Sequence, residues 1–289
     1  MMNEKFDLYE KVTETILAEL EKGIIPWKKD WKGGEAMRAR NFVTNRPYNG
    51  INAILLSILP YSCPFFATFR QIQEKGGIVK AGEKSHLVVY WNFSKVKDKE
   101  TGEEKAIPFL KYYRVFNLEQ TSIEYTLPKV DEKTFKPIES AEKIFTDYAT
   151  RENIPIIYGG ERAFYSSASD NIHLPRKEVF ETSEGFYATA FHEEAHSTGH
   201  KSRLNREEIN KIAAFGDCEY SKEELIAELG ASFLCANCGI DNSNIVKNSV
   251  AYIGGWIKAL RNDKRLIVMA SGKAAKAANY ILGDNNVEE

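Results

Sequence analysis

A chain of 289 residues with 43% apolar and 28% charged side chains can bury a sizeable core, enough for about two domains, which excludes collagen-like and largely disordered organisation. Its net charge of −2 is unevenly spread: residues 1–126 hold 19 Lys and Arg against 16 Asp and Glu, and the remainder 20 against 25. No run nears the ~18 apolar residues of a membrane span, the N-terminus is acidic and lacks an apolar leader, and four cysteines are too few for a disulfide scaffold, so a cytoplasmic protein is expected.

Residues 3–22 place Phe6, Leu8, Val12, Ile16, Leu17 and Leu20 at helical spacing, and Gly23 and Pro26 end that helix. Residues 27–48 are basic, aromatic and turn-rich. Two short helices are predicted over 50–59 and 66–75, the second closed by Gly76-Gly77. The period then changes: residues 87–91 and 111–116 read as strands joined by a charged hairpin tip over 95–105. Residues 127–138, with two prolines, read as a linker between domains spanning 1–126 and 139–289. Beyond it a helix is predicted over 140–150, and short strands over 154–158, 162–167 and 171–174. Further helices follow: one capped by Ser183 and closed by Gly199, one starting at Ser221, and two over 249–263 and 271–282. The fold class is α+β.

Three of the five histidines lie within nine residues, in FHEEAHSTGH. His192-Glu193-Glu194-Ala195-His196 matches H-E-x-x-H. On a helix the two imidazoles share one face and can hold one ion, with Glu193 beside them to act on a water. A third ligand remains to be found. A histidine six residues after His196 would complete one known pattern, but Ser202 stands there. His200 reads instead as a residue of the cleft behind the ligands. In SKEELIAELGASFLC the candidates are Glu223, Glu224 and Glu228. Glu224 is favoured as ligand and Glu228, on the same face, as a carboxylate that orients a ligating histidine. The bland alternative for Glu224 is a capping box with Ser221. Cys235 and Cys238 form a lone C-x-x-C without partners for a structural zinc and read as buried helix cysteines.

From Lys22 to Arg46 seven basic residues outnumber two acidic ones. Trp27, Lys28, Lys29, Trp31, Arg40, Arg46 and Tyr48 interleave cations with aromatics, the pairing that holds single-stranded nucleic acid. Lys80, Lys84 and Lys111, with Tyr112 and Tyr113, could extend that face. Against this stands the commoner use of tryptophan as a core anchor. No duplex-reading motif is evident.

These segments together resemble the ArdC-type antirestriction proteins of plasmids and phages, which share an N-terminal region with certain plasmid primases. The N-terminal resemblance lies in IPWKKDW, NRPYNGINAILL, FATFRQIQEKGGIVKAGEKSHLVVYW and YYRVFNLEQT. The C-terminal resemblance lies in SDNIHLP, ATAFHEEAHSTGHKSRLNR, FGDCEYSKEELIAELGASFLCANCGI and the segment from AYIGGWIKAL to AANYIL. It spans nearly the whole chain. It implies an N-terminal single-stranded-DNA-binding domain and a C-terminal zincin-like metallopeptidase domain, in a protein that enters a recipient cell with mobile DNA and protects it from restriction. It implies His192 and His196 as metal ligands, Glu193 as general base and a third ligand from EELIAE. Ser197 stands where relatives often carry a bulky aromatic, which bears on the cleft wall.

The expected function is therefore a single-strand-binding antirestriction protein with a zinc-dependent peptidase centre, manganese being the alternative metal. The expected partners are single-stranded DNA and a protein substrate or restriction component, with no membrane. The strand over 171–174 is expected to pair a peptide along its edge. The rival is a non-catalytic DNA-binding protein whose metal domain is structural. A His-rich site gives no support to a nuclease.

Overall fold

The structure, a computed structural model, describes residues 7–28, 37–97, 104–127, 137–207, 209, 217–242 and 249–284. Helix α1 spans Leu8–Leu20, and the Asp7 side chain caps it by accepting from the amides of Tyr9 and Glu10. Its apolar stripe of Leu8, Val12, Ile16 and Leu20 is buried. Strand β1 (Arg40–Asn41) and helix α2 (Gly50–Ser57) follow, then β2 (Phe65–Ala67) and α3 (Phe69–Glu74). The helix expected over 66–75 is thus a strand and a shorter helix. Thr68 separates them, its hydroxyl and the Gln71 side chain forming a reciprocal cap that forces a fresh start.

Strands β3 (His86–Lys97) and β4 (Glu104–Asn117) form a long antiparallel hairpin, well beyond the five or six residues apiece that the apolar pattern marks. The sheet order is β1-β2-β4-β3, with β1 parallel to β2 and β3 at an edge. The expected tip over 95–105 lies partly in the strands and partly outside the described residues.

After α4 (Pro137–Arg151), strands β5 (Ile156–Tyr158), β6 (Phe164–Ser166) and β7 (Asn171–Leu174) make a second sheet in the order β5-β7-β6. This corrects the expected edge role of 171–174. Strand β7 is central, paired in parallel with β5 and antiparallel with β6, so its backbone groups are already used on both sides. Helices α5 (Ser183–Ser197), α6 (Asp217–Cys238), α7 (Ser249–Asn262) and α8 (Leu266–Leu282) complete the chain.

One apolar core joins the two halves. Val12 and Ile16 of α1, Trp27, Ile54 of α2 and Val89 of β3 pack in the same cluster as Phe191, Leu229, Leu234, Trp256 and Ile267. Trp27 is central to it, only 1% exposed, its ring edge-on to Trp256 at 5.2 Å. No helix among the described residues is long and apolar enough to cross a membrane.

Candidate metal centre

Helix α5 carries the H-E-x-x-H string. Its cap is Thr182, whose hydroxyl accepts from the Gly185 amide, one residue earlier than the expected Ser183. The helix ends at Ser197 with Thr198 as its C-cap, in right-handed geometry, so Gly199 is not needed for a left-handed turn. It is needed for room: a Cβ there would meet Ile209 at 2.8 Å and the Arg206 guanidinium at 3.0 Å. Helix α6 starts at Asp217, a turn before the expected Ser221. Ser221 therefore lies inside the helix, and Glu224 is turned toward the histidines of α5.

The donor atoms converge. His192 Nε2 and His196 Nε2 lie 3.1 Å apart. Glu224 reaches His192 Nε2 at 3.4 Å with one carboxylate oxygen and His196 Nε2 at 3.3 Å with the other. One donor atom from each of the three residues falls within 4.8 Å of the other two. Two facing imidazole nitrogens and a carboxylate fit a single divalent cation, because their lone pairs then point at one charge instead of at each other.

Each imidazole is also held from behind. His196 Nδ1 faces Glu223 Oε1 at 3.1 Å, and His192 Nδ1 faces Glu228 Oε2 at 3.5 Å. A carboxylate on Nδ1 favours the tautomer that leaves Nε2 free as a donor. These carboxylates are anchored in turn. Arg206 grips the fully buried Glu223, with Nε to Oε2 at 3.0 Å and Nη2 to Oε1, and donates to Thr198 Oγ1 and the Ala195 carbonyl. Lys28 meets Glu228 at 2.8 Å.

The charges follow from this arrangement. Burial resists the imidazolium form of His192, but Glu224 and Glu228 outweigh it and raise its pKa well above the usual value. His196 is raised too, Glu223 and Glu224 overcoming the same burial. Burial alone would raise Glu228, yet His192 and Lys28 bring it down to about 2, and the two histidines hold Glu224 below the usual carboxylate range. Glu224 and Glu228 are thus held anionic by the histidines and Lys28 packed against them.

Glu193 is buried beside His192 and adds to the field that raises it. Glu194 points the other way: it is fully buried, neither carboxylate oxygen has a hydrogen-bond partner, and burial pushes its pKa well up. Of the two glutamates in the string, only Glu193 stands near the ligand face. His200 lies outside the donor set, with Nδ1 2.7 Å from Ser202 Oγ and 3.8 Å from Asp170 Oδ2. Ser197 is not on the cleft wall. It is buried, bonded to the Tyr148 hydroxyl at 2.8 Å, and donates to the Glu194 carbonyl. Cys235 and Cys238 are buried free thiols.

Among the described residues, the proposed nucleic-acid side chains do not come together as one surface. Trp27 and Tyr48 are core rings, Arg40 is buried among Arg38 and Asn45, and Lys28 is engaged with Glu228. Lys29 and Trp31 lie outside the described residues. Arg46, Lys80 and Lys84 are exposed, though the Lys80 ammonium binds the Glu119 carbonyl. Cation–aromatic pairs do occur on β4, one pair on each face of the strand. Lys111 lies over the Phe109 ring at 5.2 Å and Arg114 over Tyr112 at 5.9 Å, and Tyr90 on β3 and Tyr112 are exposed.

Arg206, Glu223 in its orienting role, and the exposed Tyr90 and Phe109 are what sequence reasoning missed. The adjacent pair Glu223-Glu224 held a signal: neighbours on a helix diverge by about 100°, so one can face the ion and the other the back of a histidine.

If Glu228 orients His192, Glu228→Leu should weaken divalent-metal binding about 10–100-fold and Glu228→Gln by less, since the amide oxygen still accepts from Nδ1. Competition with a metal-sensitive chelator measures this, and unchanged affinity in the Leu variant would remove Glu228 from that role.

The helix pair, the donor set and the second sheet define the C-terminal half as a zincin-like metallopeptidase domain, and the family model of that description matches residues 139–273. Residues 6–116 match the family of the N-terminal domain of anti-restriction factor ArdC. Crystal structures of the antirestriction protein ArdC from plasmid R388, one metal-free and one Mn(II)-bound, superpose with TM-score 0.74 at 35% and 33% identity, covering 98% of this chain and all of theirs. A DNA primase TraC of Escherichia coli is 34% identical over 98% of this chain, which spans only 28% of the primase. The uncharacterized protein y4eC of Sinorhizobium fredii is 30% identical over 95% of this chain and 91% of its own length. The chain belongs to the ArdC antirestriction family.

Proposed function

We propose that this protein binds single-stranded DNA through its N-terminal half, acts as an antirestriction protein of a plasmid or phage in the recipient's cytoplasm, and carries a zinc-dependent peptidase centre in its C-terminal half. The observation that supports the peptidase reading most is the convergence of His192, His196 and Glu224 with Glu193 alongside. These three side chains would hold the ion, with Zn2+ favoured by the imidazole-rich set and Mn2+ the alternative. When bound, such an ion polarises a carbonyl and acidifies a water. Glu193 would take a proton from the attacking water on a carboxylate oxygen and deliver it to the leaving amide nitrogen. Glu223 and Glu228 would keep each imidazole in the tautomer that donates through Nε2.

Glu193→Gln keeps shape and hydrogen bonding but cannot take the proton. It should retain stoichiometric metal and lose at least about 100-fold in peptide hydrolysis, following the usual worth of a general base. Metal analysis alongside a digest of a denatured protein pool reads both quantities. An unchanged hydrolysis rate removes Glu193 as the base, and no hydrolysis by the wild-type chain favours the non-catalytic reading.

The DNA reading is supported by the net +3 of residues 1–126 and the cation–aromatic pairs on β4. Because both halves share one core, the test uses the whole chain. Single-strand affinity should fall with salt at a log–log slope of about −0.7 per neutralised phosphate, and duplex should bind more weakly because its bases hide their faces. Fluorescence anisotropy across a salt series measures this, and salt-independent binding would exclude a phosphate-led interface.

A further inference from the structure

We infer that the cleft between α2, the free edge of β3 and α8 receives one unstacked base of single-stranded DNA. The inference rests on the single-strand reading above and adds a wall from the C-terminal half to the DNA path. The cleft holds about 250 Å³. That is a little under the roughly 300–1,000 Å³ of ordinary small-molecule sites, and suits a single ring system better than an extended chain.

Its walls have the chemistry of a base site. Tyr90, Trp91 and Tyr113 supply aromatic surface from the hairpin, and Ser271, Lys276 and Asn279 supply polar groups from α8. Among the described residues no Asp or Glu lines it, so its charged lining group is the exposed Lys276, which suits a phosphate at the mouth. Aromatic faces hold bases of any identity, and a nearby cation holds the backbone that carries them.

The edge of β3 adds a polar reader. Asn52 of α2 donates to the Val89 carbonyl at 2.6 Å and accepts from the Val89 amide at 2.8 Å, so those groups face away from β4. Backbone direction alternates along a strand, so the N–H and C=O of Trp91 face the same way, toward the cleft. A donor beside an acceptor matches the edge of a nucleobase. Asn52 also blocks the edge at Val89, which stops a peptide from adding as a longer strand. The cleft's end is set by Gly50. Its φ of +54° and the approach of its position to the Ser271 carbonyl, 3.4 Å from an added Cβ, bring the start of α2 against α8.

The test uses the full chain and a labelled oligothymidine of about 15 nucleotides, within the span of single-strand sites. Tyr90→Ala and Lys276→Glu change exposed positions, so both should fold and keep metal binding unchanged. Each should weaken the oligonucleotide about fivefold or more. An abasic strand of equal length should compete at least fivefold less well than oligothymidine against the wild type, and this difference should shrink in Tyr90→Ala. If the wild type binds but neither variant loses affinity, or the abasic strand competes equally, the base site is overturned while the DNA reading stands. If the wild type does not bind the strand, the DNA reading falls and the base site with it. If an extended peptide but not the oligonucleotide protects the Trp91 amide from hydrogen exchange, the cleft is a strand-addition site and the proposal is overturned.

Discussion

His192→Ala with His196→Ala should abolish stoichiometric binding of a divalent ion, because two of the three converging donors are lost and Glu224 alone offers only a weak carboxylate site. Metal analysis of the purified variant, with a chelator titration, reads the loss. Full retention of metal would place the ion elsewhere. In the wild type, binding should tighten as pH rises. Both histidines have raised pKa values, so at lower pH each Nε2 carries a proton that the ion must displace, and the competition fades as the pH climbs through those values. Calorimetry in buffers of different ionisation enthalpy would register the released protons. The variant should also lose the gain in thermal stability that added metal gives the wild type, since an ion that binds only the folded state stabilises it by mass action.

The ligand face was legible in the sequence because a helix repeats nearly every four residues, so H-E-x-x-H states its own geometry. Glu224 is favoured among the three glutamates of the later acidic helix for a related reason: it shares a helix face with Glu228, four residues on. What the sequence could not display was what anchors the carboxylates behind the histidines. Arg206 sits in a polar loop string whose spacing carries no period, yet it anchors Glu223 through a turn that Gly199 leaves room for. Lys28 looked like one of several surface cations, and its place beside Glu228 follows from Trp27, which pins residues 25–28 into the core shared with α6 and α7. The same pinning explains why Trp27 is no open stacking platform. An indole is as good a core anchor as it is a base partner, and only the packing of a distant helix decides between them. The edge assignment of 171–174 failed because alternation identifies a strand but not its neighbours, and β5 and β6, both earlier in the chain, flank it in the sheet.

The anchoring of Glu223 leads to the other large effect. Arg206→Met should destabilise the metal-free protein by about 3–5 kcal/mol, the usual result of removing one partner from a buried ion pair. The reason is geometric. Glu223 is fully buried, and Arg206 is its strong cationic partner, supplying two of its hydrogen bonds while also tying Thr198 and the Ala195 carbonyl at the end of α5. Without the guanidinium, burial that is now overcome by His196 and Arg206 would raise the Glu223 carboxyl toward its neutral form. A neutral Glu223 holds His196 Nδ1 less firmly, so metal affinity should drop about 10–100-fold as well. Lysine should not rescue, because a single ammonium cannot reproduce the two-point grip. The double change Arg206→Met with Glu223→Leu separates the two effects. Removing the stranded carboxylate should restore part of the stability, measured by urea unfolding, while metal affinity stays low because His196 has lost its orienting acceptor. If the double variant regains metal affinity along with stability, then Glu223 serves folding alone and His196 is positioned by α5 without it.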